Sequence, residues 1–383
     1  MSEPKEIKRV LVIKLLHIGD VLLTVPVFRA VREKFPNAHV SALVNSGTQE
    51  VLTGNRLIDE VIVYDRGIKN QPLHRKYSDE LSFLRMIRSK RFDLSIDLTS
   101  GDRAAILSLV SGARHRLAYD PAGEGLPGKR YVYSQLAQKN TTLHMVLQNL
   151  DLVRQFGIGT GDATVDIAIP DDARSFAKSV MKEHAVSSSD MIIHVHPASR
   201  WLFKCWQDEF MADIISRLIE KKARVLVTSS PAAREMEMTS RVLALVEGRD
   251  RLIDMSGRTS LKQLAALLAE ADLFLGVDSA PMHIAAAVGT PVVALFGPSR
   301  TAQWGPWDNE AARLEASAAN VRVPYSRNRG LQTFGIHTAI QSDWDCVPCG
   351  RDGCDGSKKS RCLDDIQPNK VMSIIDDVLR RKR

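Results

Sequence analysis

The sequence predicts two α/β domains, each a parallel sheet wound by helices. Short apolar strands alternate with helical patterns, the rhythm starts again after Ser187-Ser188-Ser189-Asp190, and the distinctive polar residues fall directly after strands.

Residues 9–16, RVLVIKLL, read as a buried strand. The short loop His17-Ile18-Gly19-Asp20 follows, then an apolar helical pattern reaching Phe35. Pro26 lies inside that pattern, so the helix either starts near Thr24, with Thr24 as its cap and the proline in its first turn, or is kinked. Residues 39–44, 61–64 and 92–98 read as further strands. Two segments are expected as exposed loops: residues 66–80, basic, with His74, Arg75 and Lys76 adjacent, and residues 121–128, rich in Gly and Pro. The polar stretch 162–190, with Pro170-Asp171-Asp172 and a serine run, is the expected connection between domains. The second half repeats the pattern with strands at 191–196, 224–228, 272–276 and 291–296 and an alanine-rich helix at 281–288. Val371, Ile374, Ile375 and Val378 then share one helical face, ahead of an Arg380-Arg381-Lys382-Arg383 tail expected to be mobile. The predicted organisation is a first domain at 1–170, a linker at 171–190, a second domain at 191–345, and a Cys-rich segment with a C-terminal helix at 346–383.

Composition narrows the function. With 383 residues, 44% apolar and 25% charged, the chain is long enough for two or three cores and is neither disordered nor membrane-embedded in character. Fifty-two basic against 45 acidic residues leave +7, which favours anionic partners such as nucleic acid, phosphosugars or a membrane surface. The opening MSEPKEIKRV lacks the pattern of a secretory signal, so a cytoplasmic location is expected. The weakly polar run 284–297 is broken by Gly289, Thr290 and Pro291, well short of the ~20 apolar residues of a spanning helix. Any membrane contact is therefore expected to be peripheral.

Four loops could carry chemistry. The loop after the first strand has neither G-x-G-x-x-G nor a Walker lysine; it has one glycine and Asp20 at the strand's carboxyl end, where open α/β sheets place their sites. Asp20 is a candidate base, and equally a plain helix cap. In the second half, Asp278-Ser279-Ala280-Pro281-Met282-His283 opens a helix after a strand, an arrangement suited to a pyrophosphate. Capping by Asp278 or Ser279 and a satisfied, partly buried His283 is the alternative. Ser199 to Trp206 follows another strand; there Arg200 and Lys204 could neutralise a leaving diphosphate without metal, or Lys204 could be a solvated loop lysine with Trp206 in the core. Gly297-Pro298-Ser299 is the fourth loop.

Taken together, residues 18–26, the loop ending Lys204-Cys205-Trp206, residues 278–291 and Leu295-Phe296-Gly297-Pro298 resemble glycosyltransferase family 9, the ADP-heptose:lipopolysaccharide heptosyltransferases, over nearly the whole chain. The closing run from Cys346 to Ser357, with Cys362-Leu363, looks most like the heptosyltransferase III branch. The resemblance implies a GT-B fold, two Rossmann-like domains facing across a cleft, the first binding acceptor and the second the nucleotide sugar. It implies an inverting transfer of L-glycero-D-manno-heptose from ADP-heptose to the lipopolysaccharide inner core. Asp20 is then similar to the catalytic base, Lys204 to the lysine on the donor diphosphate, and Asp278 to the acid that holds heptose hydroxyls. Ser279, Ala280 and His283 would line the pyrophosphate, with Ser199 and Arg200 near phosphate and Gly297 in a further donor loop. Arg200 stands where a hydroxyl is expected, and Ala280 where the small residue is often glycine. Glu235 is the glutamate offered for the donor ribose, although an alignment one or two residues different would put alanine there.

The resemblance implies no catalytic metal and no cofactor, and Asp343-Trp344-Asp345 lies far from the donor loops in sequence. The implied acceptor is an anionic Kdo- and heptose-bearing lipid A core at the inner membrane surface, for which Arg66, Lys69, Arg75, Lys76 and Arg103 are the candidate cations, with His74 beside them. The cysteine spacing C-x2-C-x4-C-x7-C suits a tetrahedral zinc by count, while the resemblance favours a structural site or free thiols. Two alternatives stand beside this reading. One is a family 9 transferase using another nucleotide sugar. The other is a basic zinc-containing nucleic-acid-binding protein, which leaves the strand-end placement of Asp20, Lys204, Asp278 and Gly297 unexplained and lacks aromatics among its basic runs; no nucleic-acid partner is expected.

Overall fold

A computed structural model describes residues 6–70, 72–316 and 324–382, and the chain divides into two units, Met1–Ala168 and Ile169–Arg383. In the first unit six parallel strands, β1 (Arg9–Lys14), β2 (His39–Asn45), β3 (Glu60–Tyr64), β4 (Leu94–Asp97), β5 (His115–Tyr119) and β6 (Gln135–Ala137), run in the order β3-β2-β1-β4-β5-β6. This is the doubly wound Rossmann order. β1 is central: Val10 pairs with Val40 on one side and Leu94 on the other. Val10, Leu11, Val12 and Ile13 are sealed from solvent, as a parallel strand with both faces covered must be.

The second unit repeats the winding with β7 (Ile192–His196), β8 (Arg224–Val227), β9 (Leu252–Asp254), β10 (Leu273–Val277), β11 (Val292–Phe296), β12 (Gln332–Phe334) and β13 (His337–Gln341). Their order is β12-β13-β11-β10-β7-β8-β9, and only the edge pair β12–β13 is antiparallel. The alanine-rich helix Ala280–Ala287 is apolar all round and buried, and its alanines let it lie close to β10 and β11. It ends at Gly289, whose φ of +84° suits glycine.

Of the two readings at Pro26 the first holds: Ile18–Leu22 and Val25–Lys34 are separate helices, with Thr24 at the start of the second and Pro26 in its first turn, although the Thr24 side chain makes no cap bond. Other expectations are corrected. Residues 171–190 are not a bare linker. Asp171–Glu183 is a helix, and its Ala173, Ala177 and Val180 pack with Leu226, Ile253 and Leu267 of the second unit. The basic stretch 66–80 is not one loop, because Leu73–Ser89 is a helix that buries Ile87. The C-terminal helix buries the predicted Val371, Ile374, Ile375 and Val378 but continues to Lys382 through the supposed tail, where Arg380 pairs with Asp377 one turn back. Arg383 lies outside the described residues. Strands β5, β6, β9, β12 and β13 carry no clear pattern in the sequence and exist through pairing with their neighbours.

Three of the buried histidines of the second unit have imidazoles shifted by burial. His194 and His196, two apart on β7, share the Thr228 hydroxyl at 2.8 and 2.9 Å, which can donate to one ring and accept from the other. Burial holds the imidazoles down to about 3 for His194 and about 4 for His196; His337 is likewise held down to about 4 by burial, against the opposing charge of Asp308. The folded chain keeps all three neutral while the unfolded chain protonates them near pH 6.5, so their contribution is complete above that pH and is lost on going down towards pH 4. Each should cost about 1.4 kcal/mol per pH unit in that window. A melting temperature that does not fall between pH 7 and pH 5 would contradict this.

Candidate functional site

The carboxyl ends of β7 and β10 bring two predicted residues together. Lys204 lies at the end of the short turn Leu202–Lys204 after β7, and Asp278 directly follows β10. Lys204 Nζ donates to Asp278 Oδ2 at 2.6 Å; the Asp278 side chain is nearly buried, while the Lys204 side chain keeps about a fifth of its surface exposed. Lys204 is thus not a solvated loop lysine but the partner of a buried acid.

The helix Ala280–Ala287 starts one residue beyond Ser279. The Ser279 side chain does not cap it: its hydroxyl donates back to Val277 O at 3.2 Å, while Met282 N donates to Ser279 O at 3.2 Å, so the helix start has no side-chain cap at Ala280. An uncapped helix start with a small residue in its first turn favours an anion. His283 is buried on the next turn. Ser199 is buried, and its Oγ accepts from Trp201 N at 3.3 Å. Arg200 is exposed and lies over the Trp201 ring at 5.4 Å. Trp206 is core, its indole N–H shared between Leu363 O at 3.1 Å and Ile366 O at 3.0 Å.

Gly297 occupies a different setting from the one the sequence suggests. It is buried after β11; a Cβ there would meet Leu363 Cδ1 at 3.0 Å and Phe203 O at 3.4 Å, and its carbonyl accepts from Gln341 Nε2 at 2.7 Å. Close packing requires this glycine. Glu235 is half-buried in the first turn of Ala233–Ala244, where the helix dipole favours a carboxylate. It lines a cavity of about 430 Å³ with Arg200, Trp201, Phe203, Arg234 and Lys358. Trp201, Phe203, Arg234 and Lys358 were not singled out by the sequence. Of these, only the Trp201–Phe203 pairing within one strand-end loop offered a signal.

In the first unit Asp20 is the third residue of the helix Ile18–Leu22, and one carboxylate oxygen accepts from His17 N at 3.3 Å. The cap is real and engages one of two oxygens, so it coexists with a role for the other. Close by in charge is Lys14, buried at the end of β1, whose Nζ donates to Leu98 O at 2.9 Å and Asn149 Oδ1 at 3.2 Å. Burial pulls Lys14 down to about 8, against the opposing pull of Asp20 and Asp97. A lysine inside the apolar run RVLVIKLL was a visible signal that the sequence reading passed over. Of the candidate cations, Arg66 and Arg75 are exposed and Lys76 is half-buried; Lys69 lies in the turn Arg66–Asn70 with its side chain outside the described residues. Arg103 is committed within the fold, paired with Glu80 and 5.0 Å over the Tyr64 ring.

The cysteines are all free thiols: Cys346 and Cys349 are exposed, Cys205 and Cys354 half-buried and Cys362 buried. Burial pushes Cys362 up to about 12, with the other three thiols of the segment adding to the shift. Among the described residues no group of three or more His, Cys, Asp or Glu side chains is placed to hold a metal ion. No helix of the described residues is long and apolar enough to cross a membrane.

The sequence pattern of glycosyltransferase family 9 (heptosyltransferase) matches residues 81–323. Lipopolysaccharide heptosyltransferase 3 of Escherichia coli K12 is 30% identical over 291 residues, 76% of this chain and 82% of that protein. The lipopolysaccharide core heptosyltransferase OpsX of Haemophilus influenzae Rd is 26% identical over 81% of this chain and 86% of its own. Among solved structures, a family 9 glycosyltransferase from Veillonella parvula superposes with a TM-score of 0.79 at 22% identity, over 98% of both chains. The E. coli heptosyltransferase WaaC with ADP gives 0.70 at 17% identity, over 97% of this chain and 99% of that one. These likenesses show the fold, which is of the GT-B type.

Replacing Lys204 by Met leaves the buried Asp278 carboxylate without its partner. K204M should therefore lose about 2 kcal/mol in urea unfolding, and K204M/D278N should recover most of it. Equal stability of K204M and wild type would show that the pair contributes nothing.

Proposed function

The chain belongs to glycosyltransferase family 9, the heptosyltransferases, and on that premise we propose that it transfers L-glycero-D-manno-heptose from ADP-heptose to an anionic lipopolysaccharide inner-core acceptor, in the manner of heptosyltransferase III. The observation that carries the reading is the Lys204–Asp278 pair beside the uncapped start of Ala280–Ala287, at adjoining strand ends of the second unit. Family membership favours this transferase over the nucleic-acid-binding alternative.

In the proposed reaction the second unit holds the donor. Arg200, Ser199 and the first-turn amides around Ser279 and Ala280 meet the pyrophosphate, with His283 behind them, and Glu235 takes the ribose. Asp278 orients the heptose hydroxyls while remaining paired to Lys204. In the first unit Asp20 accepts the proton of the acceptor hydroxyl as its oxygen bonds to the anomeric carbon from the face opposite the leaving group. The bond from that carbon to the diphosphate oxygen breaks, and the electron pair departs with ADP, giving inversion. The negative charge gathering on the leaving phosphate is met by Lys204 and the helix start, which are fixed before reaction and need not reorganise. Arg66, Arg75 and Lys76, with Lys69, supply positive charge for the phosphorylated acceptor; Arg103, already paired, contributes less. Work at the cytoplasmic face of the inner membrane, through peripheral contact, follows from that acceptor.

D20N keeps the cap geometry but removes the base. It should bind ADP as the wild type does and turn over about a hundredfold or more slowly, the scale of a general base; near-normal turnover excludes the role. Calorimetric titration with chelator present should show binding of ADP and ADP-heptose in preference to UDP and GDP. Preference for UDP or GDP would instead move the protein to a transferase of another sugar.

A further inference from the structure

We infer that Lys358, carried on the cysteine-rich segment, is a further cation of the donor cavity and contacts the diphosphate of the bound nucleotide. The inference rests on the donor reading above and extends it to a part of the chain outside the matched motifs.

Lys358 lines the same cavity as Arg200, on the loop after β7, and Arg234, in the first turn of the helix Ala233–Ala244. Against these three cations the only acid on the cavity wall among the described residues is Glu235. That excess of positive charge around a space of about 430 Å³ suits a ligand with more than one negative charge. Among the described residues the Lys358 ammonium makes an exposed ion pair to Asp352 at 3.3 Å, with both side chains more than half exposed. Such a pair is weak and screened, so the ammonium can turn to a phosphate at little cost.

The segment carrying it is fastened to the donor loops. Ser360 Oγ donates to Phe203 O at 2.6 Å, Gly350 N donates to Pro298 O at 2.9 Å, and Leu363 packs against Gly297. Within the segment, Cys354 N donates to Lys359 O at 2.7 Å and Ser357 Oγ to Cys354 O at 2.6 Å, closing a tight turn. Lys358 sits in that turn with φ +59°, a left-handed conformation that non-glycine residues rarely adopt and that persists where surroundings impose it. The backbone at Lys358 is thus set by bonds on both sides and tied to the loop bearing Arg200 and Lys204. Neighbouring Lys359 is exposed but does not line the cavity, and is the natural control.

The test is calorimetric titration of the full chain with ADP and, by competition, with adenosine. K358Q should weaken ADP about tenfold, the scale of one charge-assisted contact, and leave adenosine unchanged; K358R should bind ADP within a few-fold of wild type and K359Q as wild type. Unchanged ADP affinity in K358Q, an equal loss for adenosine, or an equal loss in K359Q overturns the assignment of Lys358 alone. Absence of ADP binding by the wild-type protein overturns the donor reading itself.

Discussion

A parallel strand covered on both faces has no dry place for an unpartnered charge, and the arrangement of this protein's polar residues follows from that limit. Along β7, β10 and β11 the side chains are buried from end to end, and along β1 all but Arg9 are. Charged groups therefore collect where strands stop: Lys14 and Asp97 in the first unit, Asp278 in the second. Each is provided for. Lys14 has a carbonyl and an amide; Asp97 has the Tyr133 hydroxyl and the N–H groups of Thr99 at 2.7 Å and Ser100 at 3.1 Å; Asp278 has Lys204. The exceptions inside a strand, His194 and His196, are kept neutral by burial and share one hydroxyl as partner. Fold stability and site chemistry thus draw on the same groups.

The second unit shows how a site on loops is kept rigid. The loop bearing Arg200 and Lys204 follows β7 and the turn at Gly297 follows β11, with β10 between those strands, and the C-terminal segment holds both. Trp206 gives its N–H to the carbonyls of Leu363 and Ile366, Ser360 bonds Phe203, and Leu363 fills the space that the missing Gly297 side chain leaves. Leu363, Val371 and Ile375 are themselves part of the core that includes β7, β8, β10 and β11. The last forty residues are therefore an integral layer of the second unit rather than an appendage. A charge placed on that layer has a fixed relation to the donor loops, which makes the position of Lys358 informative.

In the proposed reaction one side chain, that of Asp20, serves both capping and catalysis. Its helix is only five residues long, Ile18–Leu22, and its first-turn acid accepts from the backbone N–H of His17. That bond takes one oxygen and fixes the carboxylate's direction, which a base benefits from. Lys14 behind it adds positive charge without reaching it through a hydrogen bond, and its own pull down to about 8 records how far burial outweighs the nearby carboxylates.

Periodicity alone was enough to place β1 to β4, β7, β8, β10 and β11 and the buried face of the last helix, because long apolar runs have no other stable home. Asp20, Lys204 and Asp278 could be singled out because open α/β sheets place their sites in the loops after such runs, while a helix cap or a solvated lysine remained the alternative for each. Short edge strands such as β9 and β12 could not be found this way; their existence depends on a neighbour supplying hydrogen bonds that local sequence does not encode. The helix Asp171–Glu183 looked like linker because its polar face dominates the composition, and only packing on Leu226 and Leu267 reveals its apolar side. That Lys204 reaches Asp278 across 74 positions, that Arg103 is taken by Glu80, and that Gly297 serves Leu363 rather than open space are facts of distance, which no spacing along one chain determines.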